Sequence, residues 1–198
     1  ELLKEKIISI FPGSRLSELK SHVPILIEFI KKMNEEKNSY NYVFHATEGS
    51  KEYLSQIIKK NKLQNIDLIS NENLKNTTIK KSIFAIVKSG TVSLEVCKYG
   101  VPSIIIYKMN FLNFIIAKSF LKIKFVNMIN IINNKEIIPE LLQNECNSHE
   151  IYKTVNYLLK KPELINEQLK QVNKTIEELR SNTSSSNEAS NVLLSYLR

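Results

Sequence analysis

Ile83-Phe84-Ala85-Ile86-Val87, then Lys88-Ser89-Gly90-Thr91, then Val92-Ser93-Leu94-Glu95-Val96-Cys97-Lys98-Tyr99-Gly100-Val101-Pro102 is the stretch on which the fold turns. The five apolar residues have the length and β-branched content of a strand buried on both faces, as in a parallel sheet. The run stops at a small polar turn. Ser89 and Thr91 offer hydroxyl caps, and Gly90 lets a ligand approach the backbone. Val92, Val96 and Tyr99 fall on one helical face, Gly100 stands as the C-cap, and Ser103 to Tyr107 is the next apolar run. The unit therefore reads as strand, turn, helix, strand. Free N–H groups at the positive end of a helix dipole suit a phosphate, although many such turns carry Ser-Gly only to fit a tight corner.

The same grammar extends upstream. Lys6 to Phe11 is expected as the first strand, and Pro12-Gly13-Ser14-Arg15 as a second turn of the same kind. Ser17 to about Glu36 has an amphipathic stripe of Leu19, Val23, Ile27 and Ile30, with Pro24 expected to kink or split the helix. Tyr42 to His45 and Ile66 to Ile69 read as strands, and Ser50 to Lys60 as a helix. Asn73 to Lys81 reads as a polar turn or short helix. Strands and helices alternating at this spacing imply βαβ units. The expected fold class is α/β, a Rossmann-like parallel sheet flanked by helices.

Downstream the character changes. Asn110 to Phe125 interleaves Phe and Ile with Lys, which fits either a core-packing helix with a solvated face or contact with an anionic membrane surface. Asn127 to Asn134 reads as a polar loop, and Ile137 to Gln143 as the start of a short helix. From His149 onward the pattern is helical, with a loop at Ser181 to Ser186 and a last helix from Asn187 to Leu197. Residues 1–160 are expected to form the sheet domain. Residues 161–198 are expected to form C-terminal helices, open to exchange with a partner domain or subunit.

Composition narrows the chemistry. The 198 residues suffice for one domain with a real core, and no run of 18 uncharged apolar residues offers a transmembrane helix. The chain lacks an initiator Met, so it is expected to be a piece of something longer. A net charge of +8 points to anionic partners, but the lysines are spread through helices rather than gathered in one arm, so nucleic acid is not singled out. Asp67 is the only Asp, which rules out Asp-x-Asp metal sites within these residues. Cys97 and Cys146 have no metal or disulfide spacing and fit a reducing compartment.

Three side chains carry open alternatives. Arg15 suits bidentate phosphate binding or a surface pair with Glu18. Glu95 suits hydrogen bonds to a ribose diol or a dipole-complementing place in the first helical turn. His45, at a strand end, is structural or part of a site. No Gly-x-Ser-x-Gly, Walker or zinc signature appears.

Phe11-Pro12-Gly13-Ser14-Arg15-x-Ser17-Glu18, Lys88-Ser89-Gly90-Thr91-Val92-Ser93-Leu94-Glu95, Pro102 and Tyr107-Lys108-Met109 together resemble the lipid-A-disaccharide synthase family. Asn127-x-x-Asn130-Ile131-Ile132, Glu136-Ile137-Ile138-Pro139-Glu140-Leu141-Leu142-Gln143 and Glu145-Cys146 continue the likeness in order and spacing. It covers the chain from about Ile7 to Leu197. The family pattern departs here at Ile129, where Pro is usual, and at Asn133-Asn134, where Ala-Gly is usual.

The resemblance implies a glycosyltransferase B fold, of which this chain would be the C-terminal, nucleotide-sugar-binding half. It implies transfer of 2,3-diacylglucosamine from its UDP derivative to 2,3-diacylglucosamine 1-phosphate, without a metal or other cofactor. Gly13, Ser14, Arg15, Ser89, Gly90 and Thr91 would hold the diphosphate, and Glu95 the ribose. Tyr107, Lys108 and Met109 would border the uridine or sugar pocket, and Asn130 would line the donor site. The lipid acceptor and the catalytic base would lie with an N-terminal half, so that this chain alone would bind but not turn over. The family likeness also implies a cytoplasmic protein, peripheral on the inner membrane, and homodimers that exchange C-terminal helices. Competing readings are another UDP-N-acetylglucosamine user of the same architecture, such as the peptidoglycan transferase or the 2-epimerase, and a non-catalytic basic module for membrane or nucleic acid.

Overall fold

The computed structural model describes residues 6–36, 40–108 and 124–179. Six strands run in chain order: β1 (Ile7–Phe11), β2 (Asn41–His45), β3 (Ile66–Ile69), β4 (Phe84–Lys88), β5 (Ser103–Tyr107) and β6 (Glu140–Leu142). They form one sheet in the order β3-β2-β1-β4-β5-β6, and every neighbouring pair is parallel. The chain winds outward from β1 in one direction and from β4 in the other. The carboxyl ends of β1 and β4 therefore part into a crevice, the place where open parallel sheets take ligands.

Helices cover both faces: α1 (Leu16–Glu35), α2 (Glu48–Asn61), α3 (Glu72–Lys81), α4 (Val92–Lys98), α5 (Met128–Asn133), α6 (Ser148–Leu159) and α7 (Pro162–Leu179). Alternate strand residues feed opposite cores, the expected period of two. Phe84 and Ile86 join Ile8, Ile10 and Phe44 against α1 and α6, while Ala85 and Val87 join Phe11, Ile105, Val96 and Ile129 on the other face. Burial on both sides explains why these strands read as unbroken apolar runs.

Three expectations change. Pro24 does not split the first helix but lies inside α1. It is exposed, as is Lys20, whose carbonyl would have bonded to the missing N–H, so water can take that carbonyl. Asn127 to Asn134 is not a loop: α5 forms because Asn127 Oδ1 caps it by accepting the Ile129 N–H at 2.9 Å, and Ile129 and Asn130 are buried. Ile137 to Gln143 does not begin a helix. Its last part is β6, recruited by the free edge of β5 through Ile105 N to Pro139 O and Gln143 N to Tyr107 O, each 2.8 Å. At Asn73 to Lys81 the short-helix alternative holds, as α3.

The described part of the C-terminal region packs on this sheet. Gln168 and Val172 of α7 are buried, against β5 and the core beside α4. Met109, residues 110–123 of the Asn110-to-Phe125 segment, the Ser181-to-Ser186 loop and the Asn187-to-Leu197 helix lie outside the described residues. Among the described residues no helix is long and apolar enough to cross a membrane.

Candidate functional site

The crevice between β1 and β4 opens into a cleft of about 310 Å³. One wall is the turn after β1. Gly13 adopts φ 115°, and a Cβ there would come within 2.5 Å of Glu18 Oε2. The missing side chain is what admits the Glu18 carboxylate, whose Oε2 accepts the Ser14 N–H at 3.1 Å and the Arg15 N–H at 3.3 Å. Glu18 Oε1 lies 3.1 Å from Lys88 Nζ. Partial burial works against ionisation of Glu18, but Lys88 and the two amides outweigh it and hold its carboxyl below the usual range.

The opposite wall is Ser89-Gly90-Thr91, leading into α4. This turn is braced from behind. The Ser89 hydroxyl donates to the Val126 carbonyl at 2.9 Å, and the Ser93 hydroxyl to the Gly90 carbonyl at 2.7 Å. Buried Glu140 anchors the brace: it accepts the Val126 N–H at 2.8 Å, the Asn127 N–H at 2.9 Å and the Asn130 amide at 2.8 Å.

Side chains from β2 and α3 complete the cleft. His45 stacks on Phe11 at 4.0 Å between ring centroids, and its Nε2 lies 2.9 Å from Ser9 Oγ, itself 2.8 Å from Ser82 Oγ. Burial, with the Lys75 charge adding to it, depresses the His45 pKa to about 3, so the ring is neutral. Lys75 Nζ bridges Glu72 at 2.5 Å and Glu95 at 2.7 Å. Its burial disfavours the charge, but both carboxylates outweigh that and raise its pKa.

The two turns face one crevice at a Rossmann-type switch point, and Lys75 and Lys88 line it with them. Comparison with known proteins gives the lineage. The profile of the lipid-A-disaccharide synthetase family matches residues 1–194. The chain belongs to that family.

Its relatives agree. A lipid-A-disaccharide synthase of Rickettsia bellii is 36% identical over 177 residues, 88% of this chain and 45% of the relative. Lipid-A-disaccharide synthase 1 of Legionella pneumophila is 33% identical over 187 residues, 90% of this chain and 46% of the relative. The chain thus spans less than half the length of these synthases. Among solved structures, the C-terminal domain of a group 1 glycosyl transferase from Francisella tularensis superposes with TM-score 0.60 at 14% identity, over 91% of this chain and 89% of that one. The UDP-N-acetylglucosamine 2-epimerase of Neisseria meningitidis, solved with UDP-N-acetylglucosamine, gives 0.55 at 14% identity, over 89% and 44%. These likenesses show the fold, which is of the glycosyltransferase B type.

Of the residues that the sequence singled out, Gly13, Ser14, Ser89, Gly90, Thr91 and Glu95 all line the cleft. The others do not. The Arg15 side chain is 81% exposed, with Nη1 3.7 Å from Glu18 Oε1, the pairing that its second reading offered. Tyr107 is half-buried, its ring centroid 5.4 Å from Lys88 Nζ. The Lys108 N–H donates to His22 Nε2 at 3.0 Å, while His22 Nδ1 meets the Pro12 carbonyl at 2.8 Å. The ring must therefore be neutral with its proton on Nδ1, and burial depresses its pKa accordingly. Asn130 is buried with its whole amide engaged, donating to Ile138 O and Glu140 and accepting from Ile137 N and Ile138 N. Met109 lies outside the described residues.

Sequence reasoning gave no role to Lys75, Lys88 or His22. For Glu18 the signal was present: a Glu three residues beyond the turn residue Arg15 has the spacing at which a side chain reaches back to helix-start amides. His22 shows no local pattern, because its partners lie 10 and 86 residues away.

Proposed function

We propose that this chain is the donor-binding half of a lipid-A-disaccharide synthase, which takes UDP-2,3-diacylglucosamine into the β1–β4 cleft. The observation that carries the reading is the pair of turns, Gly13-Ser14-Arg15 and Ser89-Gly90-Thr91, set across one switch-point crevice with Lys88 between them. Backbone amides, the α4 dipole and Arg15, swinging in from the rim, would stabilise the leaving diphosphate. Glu95, on the α4 wall, would receive the ribose hydroxyls. Tyr107, Lys108 and Met109 would border the uridine or sugar. Asn130 would shape the donor side from behind the wall.

In the full reaction the acceptor is 2,3-diacylglucosamine 1-phosphate. Its hydroxyl forms the new bond to the donor sugar C1 as the bond from C1 to UDP breaks. The hydroxyl proton goes to a base outside these 198 residues. Lipid A disaccharide 1-phosphate and UDP leave. On this reading an N-terminal half supplies the acceptor site, and this chain alone binds without turning over. The protein works at the cytoplasmic surface of the inner membrane, as a homodimer whose C-terminal helices, residues 161–198, are exchanged. A net charge of +8 favours approach to an anionic lipid surface.

Calorimetric titration with UDP, with ADP as control, tests the reading. UDP binds in preference to ADP, and Arg15→Ala weakens it. Equal affinity for the two nucleotides would overturn the assignment of the cleft to a uridine nucleotide.

A further inference from the structure

Lys88 ends β4 at the mouth of the crevice, and the roles read from the sequence leave it without a task. Its side chain is 20% exposed, and its Nζ sits 3.1 Å from Glu18 Oε1 and 5.4 Å from the Tyr107 ring centroid. The other oxygen of the same carboxylate accepts the Ser14 and Arg15 amides. One carboxylate thus occupies an ammonium and two adjacent backbone donors, which together are the parts of an anion site. Glu18 stands where a phosphate would stand.

Charge sets the next step. The cleft is lined by three carboxylates, Glu18, Glu72 and Glu95, against two ammonium groups, Lys75 and Lys88, a balance of −1 among the described residues. A diphosphate entering that field is repelled unless a carboxylate gives way. Lys75 is clasped by two carboxylates at 2.5 and 2.7 Å, whereas Lys88 has one, at 3.1 Å. Glu18 lies in the first turn of α1, so a change of its side-chain rotamer vacates the site without moving the helix.

We propose that Lys88 is a diphosphate-binding residue of this cleft, and that Glu18 is the resident anion that ligand displaces from Lys88 and from the Ser14 and Arg15 amides. The inference rests on reading the cleft as a nucleoside-diphosphate site. The ligand class is a diphosphate ester. Lys88 passes from carboxylate to phosphate as the ester enters, which keeps the ammonium ordered in the empty site and makes binding an exchange of anions.

The test is calorimetry on the whole chain with UDP, ADP and inorganic pyrophosphate, using wild type, Lys88→Met, Lys88→Arg and Glu18→Gln. Lys88→Met is expected to weaken UDP and pyrophosphate roughly ten-fold, with Lys88→Arg restoring most of it. Glu18→Gln keeps an acceptor for the amides but removes the competing charge, so both ligands bind about three-fold tighter or better. A folded Lys88→Met protein with wild-type affinity for both ligands, or a Glu18→Gln protein that binds both more weakly, overturns the proposal. Loss of binding in Lys88→Met with no preference for UDP over ADP would uphold Lys88 and sink the uridine reading. Wild type that binds neither UDP nor pyrophosphate sinks both. Should Lys88→Met fail to fold, the direction of the Glu18→Gln shift decides.

Discussion

The Asn127 side-chain amide donates to the Ser93 hydroxyl at 3.0 Å, across 34 residues of chain. The Ser93 hydroxyl in turn donates to the Gly90 carbonyl, so the Ser89-Gly90-Thr91 turn is held from the far edge of the sheet. Glu140 is the fixed point of that relay, since its carboxylate receives the Val126 and Asn127 N–H groups and shares the Asn130 amide with the Ile138 carbonyl. Replacing it with Ala strands these buried donors, at a cost of about 3 kcal/mol. Glu140→Gln leaves one acceptor oxygen and costs less. Urea unfolding of the two variants checks this; an alanine variant within about 0.5 kcal/mol of wild type would show that the relay is not structural.

Gly13 gives a sharper backbone test. Its φ of 115° is strained for any L side chain, and an added Cβ meets Glu18 Oε2 at 2.5 Å. Gly13→Ala is expected to lose about 1–3 kcal/mol of stability through strain and the displaced carboxylate. A melting temperature unchanged from wild type would mean that the turn relaxes freely.

What the sequence disclosed and what it hid divide along physical lines. The strands β1, β2, β4 and β5 were legible because each is buried on both faces, which leaves an apolar run bounded by turn residues. The edge strand β3 was legible from Ile66, Leu68 and Ile69, although Asp67 between them is exposed. Gly100 was legible because a residue at φ 64° after α4 has few other solutions. The edge strand β6 was not. Three residues pair with β5 on one side only, and Ile137 to Gln143 has no periodicity that separates strand from helix. Of the site, the two turns could be read because glycines are scarce and local. Glu18 carried a local capping signal, but Lys75 and Lys88 could not be ranked, because lysines are common throughout this chain. Only the tertiary fold shows which lysines and glutamates meet in the cleft.

Acid stability should carry the mark of His45. Above pH 6.5 the ring is neutral in both the folded and the unfolded chain, and its contribution is fully present. Below that, the unfolded chain binds a proton that the folded chain, with its pKa near about 3, refuses, so stability falls as pH drops from 6.5 toward 3. His22 shifts the same way and adds to the slope. His45→Phe removes the larger part. Between pH 7 and pH 5 the wild type should lose on the order of 2 kcal/mol more than the variant. Parallel pH profiles for the two proteins would mean that His45 takes up a proton in the fold.

Gln168 closes a gap in the sheet. β5 begins at Ser103, but its neighbour β6 pairs only from Ile105 onward. The outer N–H and C=O of Ser103 would be left without a ladder partner, deep under α7. Gln168 supplies both: its Oε1 accepts the Ser103 N–H at 2.9 Å, and its Nε2 donates to the Ser103 carbonyl at 3.1 Å. A side-chain amide reproduces the donor and acceptor of the missing strand residue, which is why a polar residue sits on the buried face of an amphipathic helix. Gln168→Ala leaves both backbone groups buried and unpaired, and should destabilise by about 2–3 kcal/mol. Gln168→Glu keeps the shape but offers no donor when ionised, so it should be the worse at pH 7 and recover toward pH 4 as its carboxyl is protonated. Urea midpoints of both variants at the two pH values, each measured against wild type at the same pH, check this. A Glu variant as stable as wild type at pH 7 would show that water reaches Ser103 and that α7 is not held by this pair.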